Sequence, residues 1–241
     1  MAGHSHWSQI KRKKAVVDQK RGKVFTKCIY DITIAVQEGG GGDPAANARL
    51  RLAIDKAKGS NVPNDTIDKA IKRATGELKD KISEHYVYEG YGVNGVAVMI
   101  EVNTDNKNRT VSEIRHAFSK CGGTLGENGC VGWMFERLGS IRIQKSLAKE
   151  DKLFEEILDL GAEDLKQDDE CFIVYTQPHL LHQVMSSLSK NYKIEESEIL
   201  YIPKTLVAVS GEAAEKSIKL LEMLDDLDDV INVHANCEIE D

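Results

Sequence analysis

The hydrophobic rhythm of this chain changes at Gly76, and that change constrains its fold more than any other feature. Before Gly76 apolar residues recur at helical spacing; after it, short β-rich runs alternate with helical ones. Phe25, Ile29, Ile32 and Val36 mark a helix over 20–36, which the run Gly39-Gly40-Gly41-Gly42 stops. Asp43-Pro44 then reads as an N-cap and first-turn proline for a second helix, with Leu50, Ala53, Ile54 and Ala57 inside and Gly59 at its end. Asn64 is placed to cap a third, which carries Ile67, Ala70, Ile71 and Ala74 on one face and stops at Gly76. Three short helices with small apolar stripes predict a modest antiparallel bundle.

Beyond Gly76, the β-rich runs 86–91 and 96–102 bracket Asn94-Gly95, a strong hairpin signal because both turn residues accept positive φ. A helix follows, capped near Asn106 or Asn108, with Val111, Ile114, Phe118 and Cys121 on one face and Gly122 at its end. From about residue 139 the pattern reads strand 140–145, helix 149–160, strands 163–167 and 171–176, helix 179–190 and strand 194–202. That is βαββαβ, a ferredoxin-like unit. The tail (strand 205–209, helix 211–228, strand 230–236) is too small to bury a sheet of its own and most simply pairs back onto 85–135. The expected fold is therefore α+β with three domains: a helical bundle (1–77), a discontinuous α/β domain (78–137 plus 203–241) and an inserted ferredoxin-like domain (138–202).

Charge divides the chain at the same place. Residues 1–76 hold 15 of the 32 Lys and Arg but only 7 of the 39 Asp and Glu, a net of +8; the remaining 165 residues carry 17 and 32, a net of -15. Such asymmetry points the basic part at a polyanion. The acidic remainder does not forbid this, because the Debye length at physiological salt is about 8 Å. The density peaks in Trp7-Ser8-Gln9-Ile10-Lys11-Arg12-Lys13-Lys14, followed by Lys20, Arg21, Lys23 and Lys27: eight cations before Cys28 against one acid, Asp18. Lysine and arginine at this density neutralise phosphates, and Trp7 offers a face for an unpaired base. A solvated helix face is the ordinary fate of a charge run, but it normally carries balancing acids, which are missing here. Arg49, Arg51, Lys56, Lys58, Lys69, Lys72 and Arg73 interleave with Asp55, Asp65 and Asp68, so for them the solvated reading is as good.

Other motifs weigh toward structure. Gly90-Tyr91-Gly92-Val93-Asn94-Gly95 spells G-x-G-x-x-G, yet a dinucleotide site needs a helix next, and Val96-Ala97-Val98-Met99-Ile100 is a strand. In Thr104-Asp105-Asn106-Lys107-Asn108-Arg109-Thr110 helix capping competes with phosphate contact by Lys107 and Arg109. Asp225-Asp226-Leu227-Asp228-Asp229 reads as a solvated loop that also repels misplaced nucleic acid. His4 and His6 read as an ordinary chain end, and His179 and His182 as ordinary histidines on a helix with no nearby carboxylate. No metal site, cofactor or catalytic set is expected: GxxxxGK[ST], GxSxG and HExxH are all missing. The five cysteines (Cys28, Cys121, Cys130, Cys171 and Cys237) have no CxxC spacing and read as reduced thiols. With no signal-like apolar start and no run near the ~20 residues of a membrane span, the expectation is a cytoplasmic protein that does not enter a membrane.

Ala2-Gly3-His4-Ser5-x-Trp7, Lys20-Arg21-Gly22-Lys23-x-Phe25-Thr26-Lys27 and Asn61-x-Pro63-Asn64-Asp65-Thr66-Ile67 resemble blocks of the YebC/PmpR family. So do Tyr88-Glu89-Gly90-Tyr91-Gly92, Thr104-Asp105-Asn106-x-Asn108-Arg109-Thr110, Arg115-His116-Ala117-Phe118-Ser119-Lys120 and Met134-Phe135-Glu136-Arg137. The resemblance spans essentially the whole chain and implies the same three-domain arrangement. It also implies regulation of gene expression without catalytic residues: bacterial members are called DNA-binding transcriptional regulators, some are tied to the ribosome and relief of stalling, and mitochondrial relatives are translational activators. His6 stands where the family usually has Lys, which trims the basic charge slightly but leaves the patch intact, and Cys28 and Cys121 take places held by other residues.

The function expected is a monomeric, non-enzymatic, nucleic-acid-binding regulator. Trp7, Lys11, Arg12, Lys13, Lys14, Lys20, Arg21, Lys23, Lys27, Lys107 and Arg109 are the candidate contacts, and DNA, ribosomal RNA or messenger RNA the candidate partners. Two alternatives stand beside it: a ribosome- or RNA-associated translation factor, since no recognition helix is evident, and a protein-interaction module working through the acidic domains.

Overall fold

The structure, a computed structural model, describes residues 21–38, 40–78 and 84–240, and of residues 21–23, 38 and 147 only the backbone. Helix α1 (Arg21–Glu38) packs against α2 (Ala48–Gly59) and α3 (Asn64–Ala74). Cys28, Ile32, Ala35, Leu50, Ala53, Ala57, Ile67 and Ala70 lie in the buried interior, where the four alanines leave room for Ile32, Leu50 and Ile67 between three short helices. Phe25 and Ile29, read from the sequence as part of the same stripe, are only half-buried: they lie on a flank of α1 that faces the neighbouring sheet.

The second helix begins four residues later than Asp43-Pro44 suggested. Asp43 spends its carbonyl and carboxylate on the N–H groups of Ala45, Ala46 and Asn47, which closes a separate turn. Asn47 is the cap. Its Oδ1 accepts from Leu50 N at 3.0 Å, while Nδ2 donates to Ala35 O at 2.7 Å and Gly41 O at 2.9 Å. One buried amide thus starts α2 and satisfies a terminal carbonyl of α1, which would otherwise lack a partner. Asn61, at φ 59°, ends α2 in the left-handed region, so Val62 turns back into the bundle core.

Strands β1 (Glu84–Tyr91) and β2 (Ala97–Thr104) form the expected hairpin, with Asn94 at φ 55° and Gly95 at φ 75° in its turn. Helix α4 (Lys107–Lys120) starts at the Asn106 cap and leads to β3 (Thr124–Leu125), which pairs with β1. The next strand, β4 (Phe135–Gln144), begins five residues before the predicted 140, because Phe135 is itself buried against Ala97, Met99 and Val131. Helix α5 (Glu150–Asp159), β5 (Asp164–Gln167), β6 (Cys171–Thr176), α6 (Leu181–Leu188) and β7 (Ile194–Pro203) follow. Their sheet has the order β5-β6-β4-β7, all antiparallel, with the βαββαβ connectivity read from the sequence. Its core joins Ile141, Ile143, Phe172 and Val174 to Leu153, Ile157, Val184 and Leu188 of the helices.

The tail supplies β8 (Val207–Val209), α7 (Gly211–Asp225), β9 (Val230–Ala235) and β10 (Cys237–Ile239). β9 completes the first sheet in the order β3-β1-β2-β9, so the chain's end does return to the hairpin. β10, which the sequence did not suggest, pairs in parallel with β8. Helices α4 and α7 cover one face of the first sheet through Ile114, Phe118, Leu220, Leu221 and Leu224, and Val131, Phe135 and Tyr201 cover the other. With both faces covered, β2 is buried almost throughout, which accounts for its unbroken apolar run. The β4–β7 ladder starts at Phe135↔Pro203 and runs through both predicted junctions of the insertion, so paired backbone of the second sheet reaches into the segments that lead to and from it. Among the described residues no helix is long and apolar enough to cross a membrane.

Candidate functional site

Of the residues singled out from the sequence, Trp7, Lys11, Arg12, Lys13, Lys14 and Lys20 lie outside the described residues, and Arg21 and Lys23 fall on the first turn of α1, where only the backbone is described. The other three have internal partners. Lys27 Nζ meets Glu198 Oε2 of β7 at 2.7 Å and Asn232 Oδ1 of β9 at 3.4 Å. Burial alone would lower the lysine's pKa; the Glu198 carboxylate outweighs it and holds the ammonium above its usual range. Lys107 Nζ sits over the Tyr86 ring, 4.7 Å from its centroid. Arg109 Nη2 reaches both carboxylate oxygens of Asp229 at 2.8 and 2.9 Å, and Asp105 Oδ1 at 3.4 Å.

Asp229 is where the sequence reading needs correcting. Taken as one more acid of a solvated loop, it is instead the acceptor around which the Thr104–Thr110 turn closes. Thr110 Oγ1 donates to it at 2.6 Å and Thr104 Oγ1 at 3.1 Å, in addition to Arg109. Burial pushes its carboxyl up, but the bonds from Thr110, Arg109 and Thr104 prevail and hold it below the usual carboxylate range. A cavity of about 330 Å³ opens beside it, lined by Phe25, Thr26 and Ile29 of α1 and by Asn103, Asp105, Asp228 and Asp229.

Two further carboxylates were not among the candidate residues read from the sequence. Glu101, on β2, is nearly buried: it accepts from His234 Nε2 at 2.8 Å and Asn232 Nδ2 at 3.2 Å, and lies 3.6 Å from His85 Nε2. Burial would raise its carboxyl; the bonds from His234 and His85 outweigh that and keep it well below its usual range. Tyr30 of α1 stacks on His85 at 5.1 Å between ring centroids, and Tyr201 of β7 meets His234 edge-on at 5.5 Å. With Lys27–Glu198 this forms a polar junction where the helical bundle, the first sheet and the second sheet meet. Glu89, on β1, turns its carboxylate under the 126–132 loop and accepts from Gly129 N at 2.8 Å and from Val131 N and Gly132 N at 2.7 Å each. Only side-chain register identifies such roles, since glutamates in strands otherwise read as solvent-facing.

The bundle's described cations are mixed with acids. Lys56 pairs with Asp31 at 3.0 Å, and Arg51 Nη1 donates to Pro44 O and Ala45 O. The exposed face of α3 carries Lys69, Lys72 and Arg73 but also Asp65 and Asp68. The G-x-G-x-x-G glycines lie in the β1–β2 hairpin and lead into a strand. His179 and His182 are exposed. Among the described residues no group of three or more His, Cys, Asp or Glu is placed to hold a metal ion.

Comparison with known proteins covers nearly the whole chain. Residues 5–77 match the TACO1/YebC protein N-terminal domain, and residues 83–237 match the TACO1/YebC second and third domain. A protein of Trichlorobacter lovleyi described as a probable transcriptional regulatory protein is 52% identical over 240 residues, 99% of this chain and 96% of the relative. One of Acidithiobacillus ferrooxidans with the same description is 52% identical over 242 residues, 100% of this chain and 96% of the relative. The crystal structure of a conserved hypothetical protein of Aquifex aeolicus superposes with a TM-score of 0.86 at 46% identity, covering 98% of both chains.

Proposed function

The chain belongs to the TACO1/YebC family, and from that premise we propose that it is a monomeric, non-enzymatic, nucleic-acid-binding regulator of gene expression in the cytoplasm, conventionally a DNA-binding transcriptional regulator. The description shared by its relatives supports the regulatory role. The observation that carries nucleic-acid binding is the segregation of charge, +8 over residues 1–76 against -15 over the rest. Lys11, Arg12, Lys13, Lys14, Lys20, Arg21 and Lys23 are the proposed phosphate contacts, and Trp7 a stacking face. Lys27, Lys107 and Arg109 have internal partners, so they carry less of the proposal. In this reading the bundle is one domain and the two sheets are two more, the second inserted in the first. The separate buried clusters of bundle and sheets support that division.

A second reading, translation through RNA or the ribosome, is favoured by α3. A recognition helix reads base edges in the major groove, and this helix offers a mixed acidic and basic face instead. A basic arm with an aromatic suits structured RNA as well as duplex DNA.

Salt dependence tests the electrostatic core of the proposal. With five or six phosphates neutralised, the logarithm of affinity falls against the logarithm of salt with a slope of about −5 on duplex DNA and about −4 on single strands. Changing Lys11, Arg12, Lys13 and Lys14 to Glu removes most of that slope. A slope near zero for the unaltered chain rejects the basic segment as the binding element. Sedimentation of lysates through sucrose then separates the readings: ribosome co-migration lost in the Glu variant selects translation, and promoter binding without co-migration selects transcription. Activity that survives deletion of 1–27 selects protein interaction through the acidic domains.

A further inference from the structure

Trp133 is 67% exposed, the most exposed large hydrophobic side chain among the described residues. An indole in that position forfeits the burial that a large aromatic usually brings. It is also held in place. Its Nε1 donates to Cys130 O at 3.1 Å, and the Tyr91 hydroxyl donates to the same carbonyl at 2.8 Å. Beneath it, Glu89 grips Gly129, Val131 and Gly132, and Gly126 N donates to Glu89 O at 2.8 Å. Behind it, Met134 O accepts from Lys204 N at 2.9 Å, which locks the loop to the end of β7. A buried carboxylate, one shared carbonyl and a strand end thus fix a ring that faces water.

We propose that Trp133 is a stacking platform for an unpaired nucleobase, a second nucleic-acid contact separate from the basic N-terminal segment; this rests on the reading under Proposed function. The ring's only hydrogen-bond donor is already used inside the loop, so what it presents outward is its π-surface. A flat, sequence-tolerant face of this kind matches a base better than it matches a hydrogen-bonding peptide. Lys204, whose backbone N–H bonds the carbonyl of the next residue, Met134, and Arg137, four positions along the chain, are both exposed. Glu127 and Glu136 are exposed nearby in the chain, so the spot is close to neutral. It is therefore suited to receive a base from a strand whose phosphates are held elsewhere, rather than to attract a duplex.

The chain has two tryptophans, Trp7 and Trp133, so Trp7→Phe leaves Trp133 as the sole indole reporter while keeping a ring at position 7. The full-length Trp7→Phe protein is titrated with oligoadenylate RNA, with the matching DNA oligonucleotide, and with a duplex. Both single strands, or the preferred one, quench Trp133 emission at the same midpoint as anisotropy of the labelled oligonucleotide, and the duplex leaves the emission unchanged. In the otherwise unaltered chain, Trp133→Ala weakens single-strand binding about five- to a hundredfold and Trp133→Phe restores part of it, with urea midpoints unchanged because the ring is exposed. Single-strand binding that leaves Trp133 emission unchanged and survives Trp133→Ala overturns this inference and spares the nucleic-acid reading; Trp133 then serves a protein partner. Failure of every nucleic acid to bind the unaltered chain overturns both.

Discussion

Single carboxylates do more in this protein than their sequence neighbourhood suggests. Asp229 closes a run of acids, yet its two threonine bonds and its arginine pair make it the fastener between the β2–α4 turn and the α7–β9 link. Replacing it with Asn keeps the shape and removes the charge. The expected cost is about 1–3 kcal/mol in urea unfolding, most of it from the threonine side, because half-exposed Arg109 is screened by solvent. Its carboxyl and that of Glu101 are both held below the usual range, so their contribution is fully present above the unfolded value of about 4 and is lost as pH falls toward the folded values. Stability therefore drops between about pH 5 and about pH 2, and Asp229→Asn shows a shallower drop than the unaltered chain. Equal drops in the two proteins reject the assignment. Gly90 is the converse case, a residue needed for what it lacks. A Cβ there meets Phe118 Cζ and Thr124 O, each at 2.7 Å, so Gly90→Ala costs about 1–3 kcal/mol by forcing α4 and β3 off β1. A thermal midpoint unchanged by that substitution contradicts the packing described.

At the scale of elements, the hairpin and the 126–132 loop illustrate two ways of fixing a turn. The β1–β2 turn is local: Asn94 and Gly95 supply the positive φ that the strand twist requires, so it is visible as a dipeptide. The 126–132 loop is held from a distance by Glu89, about 40 residues earlier, and nothing in the loop announces it. Glu89→Gln keeps the volume, but an amide has one acceptor oxygen where the carboxylate offered two. The expected loss is about 2–4 kcal/mol, with faster hydrogen exchange at Gly129, Val131 and Gly132. Unaltered exchange at those amides, with the protein folded, removes Glu89 from this role.

For the whole molecule, the question is what orients the basic bundle against the two sheets. Lys27–Glu198 and Tyr30–His85 bridge α1 to β7 and β1, and Asn232 and His234 of β9 complete the junction. A double-mutant cycle with Lys27→Ala and Glu198→Ala measures the first bridge. A coupling of about 1–2 kcal/mol is expected for a partly buried pair in which Lys27 keeps its Asn232 bond when Glu198 alone is removed, and zero coupling disconnects α1 from β7 energetically. The same variants move the bundle's protection from proteolysis more than that of the βαββαβ sheet, whose core lies elsewhere.

What the sequence determined by itself is what local chemistry encodes. The change of period at Gly76 separates helices from mixed elements; Asn94-Gly95, Asn106 and Gly76 fix turns and ends; and the order of runs gives βαββαβ. The divide in charge is likewise a property of composition, legible before any folding. Where local signals competed, they misled by a few residues: Asp43-Pro44 made a turn of its own and left the cap to Asn47, whose partners Ala35 and Gly41 no sequence window reveals. Tertiary structure alone decided the rest. Which strand glutamates are buried acceptors depends on what covers each face of the sheet. The early start of β4 depends on Phe135 finding Met99, and the pairing of Lys27 depends on β7 arriving from 171 positions away. Local sequence fixes the dihedral preferences of neighbouring residues, whereas a carboxylate or an ammonium takes its role from groups that only folding brings within about 3 Å.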